Sequence, residues 1–191
     1  MNHMQSIRKT GVRSSLKRQA GFDLVQISVA VAIIAFIMAI AFLAVPTVMT
    51  NIKVNAETGD LQQMVSNAGR VAGTGADLSG LNAAAAINLR LAPPDRVFGG
   101  NINNRFGGTV AWALSNLFGS NDGISITSRG YGPEACSKLI PNVQTMFTRI
   151  TVGSTVVKNL AAATPVPLSA TGMANACAAA NSQDIVFEFT R

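Results

Sequence analysis

Residues Leu24–Ile52 read LVQISVAVAIIAFIMAIAFLAVPTVMTNI, a stretch without one charged side chain. Within it, Ile27–Val45 holds a single polar side chain, Ser28. Coiled at about 1.5 Å per residue, those positions span roughly 28 Å, the depth of a bilayer core. The flanks orient the run. Before it stand Arg8, Lys9, Arg13, Lys17 and Arg18, with no acid among residues 1–20, and the first charge after it is Lys53. Basic residues stay on the cytoplasmic side, so the sequence places residues 1–20 in the cytoplasm and everything after the run outside.

That asymmetry also decides how the net charge is read. Of the 15 Lys and Arg residues, five sit in this basic flank; the remaining ten face nine acids, so the formal +6 falls to +1 beyond it. A strongly basic chain ordinarily suggests a nucleic-acid or anionic-surface partner. Here the charge is a topogenic flank, and no nucleic-acid partner is expected.

Three fates fit an apolar run after a basic flank. It can remain as a plain membrane anchor. It can be a secretory signal, cut at a small-residue site such as Ala39-Ile40-Ala41. Or the flank alone can be removed on the cytoplasmic side, leaving the run in the mature protein. The junction Lys17-Arg18-Gln19-Ala20-Gly21-Phe22-Asp23-Leu24-Val25-Gln26 favours the third. It resembles the leader junction of type IV prepilins, where a dedicated peptidase cuts after Gly and methylates the new N-terminus, commonly a Phe. The resemblance implies cleavage between Gly21 and Phe22, N-methylation of Phe22, and a mature chain of 191 less 21, or 170, residues. A leader that long is similar to those of the type IVb branch.

The family pattern also identifies a departure. The fifth mature residue of type IV pilins is usually Glu, whose carboxylate neutralises the terminal amine of a neighbouring subunit in the apolar filament core. An unpaired charge there is costly. This chain has Gln26 at that position, and Asp23 is the nearby carboxylate that could take over the role. Otherwise the subunit is a minor or tip pilin with no subunit ahead of it.

The apolar run predicts one long helix from about Phe22 to Ala72. The alanines among its larger side chains permit close helix approach in lipid or in a bundle. Pro46 removes a backbone donor, so a kink or local melting is expected near Phe42–Pro46. Beyond it, Ile52, Ala56, Leu61, Met64, Val65 and Ala68 recur at roughly helical spacing, predicting an apolar face packed on a following domain. Gly59 weakens this part, and Gly73 with Gly75 ends it.

From about residue 76 the chain changes character. Val110, Trp112 and Leu114 alternate within Thr109–Phe118, Asn121-Asp122-Gly123 signals a hairpin turn, and Ile124 and Ile126 alternate on the return strand. Pro133 suits the first turn of a short helix carrying Cys136, Leu139 and Ile140. Phe147–Val152 and Thr155–Val157 flank Gly153-Ser154 as a second hairpin, and Ile185–Phe189 forms a last strand. The expected fold is α+β: a long N-terminal helix, its apolar half protruding, packed on a small antiparallel head.

In the head, Ile124–Leu139 followed by the hairpin through Lys158 is similar to the PilS-type pilins of conjugative plasmids and their type IVb relatives. Those carry one cysteine on a helix after a Gly/Pro turn and a second in a C-terminal loop before the last strand. An even cysteine pair in an exported chain favours a disulfide, and the resemblance implies a Cys136–Cys177 bridge bounding an exposed region, residues 136–177. Ala161–Ala176, rich in Ala, Thr, Pro and Ser, reads as a surface excursion. The organisation is then a cleaved leader, 1–21, an assembly and transmembrane helix, 22–75, and a head, 76–191.

Catalysis is not expected. The only histidine, His3, lies in the leader, which removes His-based triads and His metal sites from the mature chain. Gly73-Thr74-Gly75 lacks the strand and third glycine of a nucleotide loop. Asp95 and Asp122 read as turn residues, and neither metal nor cofactor is implied. Arg90, Arg96 and Arg105 read as solvated surface charge, with an anionic partner as the alternative. The resemblance implies partners: further copies of the chain, assembling through Asp23, Gln26 and the Pro46 region, together with a prepilin peptidase, an assembly platform and the inner membrane. The finished pilus would be extracellular and serve adhesion, aggregation or mating contact with an unspecified host or recipient surface. The alternatives are a minor pilin or type II secretion pseudopilin, or a membrane-anchored periplasmic binding module.

Overall fold

The structure, a computed structural model, describes residues 24–191; the predicted processing residues Gly21 and Phe22, and Asp23 beside them, lie outside that range. Contacts divide the chain into two units, one ending at Leu43 and the other Ala44–Arg191.

Helix α1 spans Leu24–Gly73. It is long and apolar enough to cross a membrane. The melting expected at Phe42–Pro46 is absent: residues 42–46 are all helical. Pro46 cannot donate to the Phe42 carbonyl, yet the helix continues. One turn on, the Thr50 hydroxyl donates to the Pro46 carbonyl at 3.0 Å. Gly59 does not interrupt the helix either. It ends where the glycines predicted, with Gly75 at φ 74 donating to the Ala72 carbonyl at 3.0 Å.

In the second unit α1 buries Val54, Glu57, Leu61, Met64 and Ala68, a stripe spaced by three and four that holds one face of the helix toward the core. Leu61, Met64 and Ala68 of the predicted face are in this stripe, with Val65 partly buried against the core, and its first turns are corrected. Ile52 is exposed and Ala56 only partly covered, because the stripe runs through Val54 and Glu57 instead.

After α1 come a short helix α2 (Ala83–Asn88) and seven strands: β1 (Val97–Phe98), β2 (Asn101–Asn103), β3 (Thr109–Ser115), β4 (Gly123–Tyr131), β5 (Arg149–Val152), β6 (Thr155–Asn159) and β7 (Gln183–Thr190). Helices α3 (Pro133–Val143) and α4 (Ala170–Ala178) complete the head. All pairings are antiparallel, in the order β1-β2-β3-β4-β7-β5-β6. The last strand thus enters the middle of the sheet, between β4 and β5. Its Phe187 faces Ile126 on one side and Ile150 on the other, and Phe147 stacks on Phe187 with ring centroids 4.8 Å apart. Together with the α1 stripe these side chains form one core cluster.

The hairpin between β3 and β4 differs from the tight turn that Asn121-Asp122-Gly123 suggested. Ser115 pairs with Gly123, leaving 116–122 as a longer loop. The Asp122 carboxylate organises it, accepting the backbone N–H groups of Leu117, Phe118 and Gly119, each at 2.8 Å. A side chain that gathers three amides replaces the backbone bonds of a two-residue turn. The β5–β6 hairpin does turn at Gly153-Ser154, with Gly153 at φ 57 and Val152 facing Thr155.

Candidate functional site

Two surfaces of α1 carry the functional reading. Along the first, the large apolar side chains described between Leu24 and Ile52 are each more than half exposed, Phe36 at 68% and Phe42 at 79% among them. Gln26 and Pro46 are both exposed on this stretch. None of the described residues covers it. Contiguous apolar surface of this extent requires a cover, a lipid phase or other protein.

The second surface is a polar clamp within the head unit. Glu57 occupies a stripe position and is 1% exposed, with Asp60 one turn on at 7%. A buried carboxylate needs donors, and the chain brings two to Glu57. The Tyr131 hydroxyl donates to Oε1 at 2.7 Å, and the Arg105 backbone N–H donates to Oε2 at 2.8 Å. The Arg105 side chain then forks onto Asp60, Nε to Oδ2 at 2.6 Å and Nη2 to Oδ1 at 2.8 Å. This is the two-pronged geometry that guanidinium and carboxylate share. Burial pushes the Glu57 carboxyl up from its ordinary value, while its hydrogen bonds pull the other way. Burial, and next the charge of Glu57, push the Tyr131 hydroxyl well above its ordinary value.

The loop after β2 is shaped to present Arg105. The Asn104 side-chain oxygen accepts the N–H groups of Phe106 and Gly108 at 2.9 and 2.8 Å. Its amide donates to the Ser128 hydroxyl at 3.0 Å and the Arg129 carbonyl at 2.7 Å. Gly108 passes so close to β4 that a Cβ there would lie 1.8 Å from the Arg129 carbonyl oxygen. Opposite it, β4 shifts register between Ser128 and Tyr131, with Gly130 at φ 83. The bulge re-aims the strand end, and Tyr131 is wholly buried against Glu57.

Across the head, Cys136 on α3 and Cys177 on α4 are bonded, with Cα atoms 5.6 Å apart. The second cysteine is therefore helical, not in a loop. Ser169 caps its helix by accepting the Gly172 N–H at 3.1 Å, so the expected excursion Ala161–Ala176 is only half irregular. Buried Lys158 donates to the carbonyls of Phe147, at 2.7 Å, and Gln144, and burial pushes its ammonium down. On the sheet, Arg149 of β5 forks onto buried Glu188 of its partner strand β7.

A long apolar helix, a seven-stranded antiparallel head fastened to the helix's second half, and a bridge between α3 and α4 form the arrangement to be matched. The PilS N-terminal family ("PilS N terminal") matches residues 51–190. The chain belongs to the PilS family. Among solved structures, this PilS chain is similar to the type IVb pilin of Salmonella typhi, with a TM-score of 0.54 and 17% identity over 72% of this chain and 99% of that one. It is also similar to TcpA, a type IV pilin from the Vibrio cholerae El Tor biotype, at 0.50 and 18% over 71% and 99%. At such identity the likeness shows the fold, and that fold is the type IV pilin's. No curated protein sequence matches. By family and by fold the PilS chain is a pilin subunit.

The PilS head also redraws the arginine cluster. Arg105 is not solvated surface charge, because it pins the loop after β2 to α1. Arg96 joins the same network, 4.0 Å from Asp60 and 3.1 Å from Asp95. Arg90 stands apart from it. Apolar periodicity alone does not reveal the clamp, because a charged residue, Glu57, occupies one position of the stripe. An acid at three- and four-residue spacing from Val54 and Leu61 was the available signal.

Proposed function

We propose that this PilS chain is made as a prepilin, cut between Gly21 and Phe22, methylated at Phe22 and polymerised through α1 into a type IVb pilus. The observation carrying the reading is the uncovered apolar length of α1, Leu24–Ile52. Lipid covers it in the inner membrane before assembly, and α1 helices of other copies cover it afterwards. Neither surrounding is more apolar than the other, so close packing between helices sets the exchange. Alanines along the run let that packing tighten. A peptidase at the cytoplasmic face and an assembly platform in the inner membrane are the partners this route requires. The protein's work is structural: contact, adhesion or aggregation by the finished filament, with the head outermost.

Gln26 supports a second reading within the same class. An amide accepts a hydrogen bond from a neighbouring amine but cannot cancel its charge. A subunit that starts a filament, with no copy ahead of it, has no such amine to meet.

The N-terminus of the mature protein tests the proposal. Mass spectrometry is expected to find N-methyl-Phe22 as the first residue. A chain beginning at Phe42 would mean secretory cleavage, and an intact leader would mean a plain anchor; either result overturns the pilin route.

A further inference from the structure

The arginines of the head sort into two groups. Arg96, Arg105, Arg129 and Arg149 each stand within 4.0 Å of a carboxylate. Arg70, in the last turn of α1, Arg90, after α2, and the last residue, Arg191, form no such pair among the described residues, and the first two line one cleft of about 710 Å³. The cleft also presents the amides of Gln63, Asn67 and Asn88 and the apolar side chain of Ile87.

Arg90 is held in an unusual state. Its φ is 53, the left-handed region that a Cβ disfavours and glycine accepts. The surroundings fix it there. The Asn67 amide donates to the carbonyls of Arg90 and Leu91 at 3.2 and 3.3 Å, and the Arg90 N–H donates to the Ile87 carbonyl at 3.0 Å. Strain of this kind collects where a side chain has a task. Here the strained residue is one of the two arginines that line this cleft.

We propose that this cleft binds an acidic saccharide. Arg70 and Arg90 take its carboxylate, guanidinium against carboxylate being the paired geometry those groups share. The side-chain amides of Gln63 and Asn88 both donate and accept, matching sugar hydroxyls, which do the same, while Asn67, its amide hydrogens held by Arg90 and Leu91, offers its oxygen as an acceptor. The volume falls within the range of small-ligand sites, about 300–1,000 Å³. A peptide carboxylate fits less well, because β1 beside the cleft is two residues long, too short to template an added strand. The site lies wholly within the head unit and does not depend on polymerisation.

Titration of the full-length chain in detergent micelles tests it with three probes: a hyaluronan tetrasaccharide carrying glucuronate, its neutral counterpart chitotetraose, and tetraglutamate. Saturable binding of the uronate saccharide is expected, with the other two at least tenfold weaker. Arg70→Gln and Arg90→Gln should each weaken it about tenfold, while Arg129→Gln, on the exposed far pair, leaves it unchanged. Arg90→Gly separates strain from folding: it should lose the same affinity while keeping or raising the thermal midpoint. No saturable binding, equal binding of chitotetraose, tighter binding of tetraglutamate, or undiminished affinity in the Arg70 and Arg90 variants would each overturn the proposal.

Discussion

Tyr131 donates its phenolic hydrogen to Glu57 Oε1 at 2.7 Å, joining residues 74 positions apart, one on the long helix and one at the end of β4. Removing that hydroxyl leaves a carboxylate oxygen buried without its donor. Tyr131→Phe is expected to cost about 1–3 kcal/mol of folding stability. Glu57→Leu strands two donors, the Tyr131 hydroxyl and the Arg105 N–H, and is expected to cost more. Denaturant unfolding of the full chain in detergent measures both; a Tyr131→Phe variant as stable as wild type would show that the bond carries no load.

Stability should fall as pH rises through the titration of Glu57. Burial raises its folded pKa above the ordinary 4.5, so the folded chain holds a proton at pH values where the unfolded chain has released it. The favourable contribution is complete below the unfolded pKa and is lost as pH climbs through the folded one. Asp122 behaves oppositely. The N–H of Leu117 above all holds its carboxyl below 3.8, so its contribution is present above that value and lost as pH drops through the folded pKa. Glu57→Gln should flatten the first slope and leave the second. Thermal midpoints across the acidic range read both.

Gly108→Ala should be among the most damaging single-methyl additions in the head. The new carbon would lie 1.8 Å from the Arg129 carbonyl oxygen, so β4 or the Asn104 loop must move. A loss of about 3 kcal/mol is expected, together with faster amide exchange at Phe106, whose N–H the Asn104 side chain holds. The same change at Gly59, with nothing within 4 Å, should be neutral or stabilising in a helix.

Reduction of Cys136–Cys177 removes a link between residues 41 positions apart. On the chain-entropy account it contributes about 3–4 kcal/mol. Cys136→Ser with Cys177→Ser should lower the unfolding midpoint by a comparable amount, and wild type in reductant should match that variant. α4 reaches the core through Ala176 and Cys177, so protease cleavage is expected to begin in residues 160–178.

Asp23→Ala and Gln26→Glu address the charge in the proposed filament core. If Asp23 supplies the neutralising carboxylate, its loss should sharply reduce pilus yield, and Gln26→Glu should restore it. Sheared filaments quantified against total cell-associated subunit provide the measurement. Undiminished yield from Asp23→Ala removes Asp23 from assembly.

The long helix was legible because its signal is compositional: an uncharged run has few other folds available, and Gly73 and Gly75 mark its end. Strands β3, β4, β5, β6 and β7 were legible from alternation and punctuation. The hairpin of β1 and β2 was not, although Gly99 and Gly100 both take positive φ between Val97-Phe98 and Asn101-Ile102. Two- and three-residue strands carry too little alternation to register. Pro46 suggested a kink or local melting, and of these the melting does not occur, since residues 42–46 stay helical with one donor missing. The clamp was hidden for a different reason. Glu57, Arg105 and Tyr131 are distant in sequence, and each reads alone as an ordinary surface residue or core aromatic. Only the fold brings Arg105 and Tyr131 to the acids on α1.

The fork of Arg105 on Asp60, with Glu57 one turn earlier, has a mechanical meaning. Tension on a fibre whose subunits are gripped by their α1 helices would reach each head along that helix. An apolar stripe resists such a pull poorly, since Leu61 and Met64 can trade places with neighbours after one turn, about 5.4 Å of travel. The clamp cannot be traded: displaced by a turn, both carboxylates lose their donors at once. In such a fibre Glu57 and Asp60 would act as a pawl, holding the register of α1 against the head through Tyr131 and Arg105.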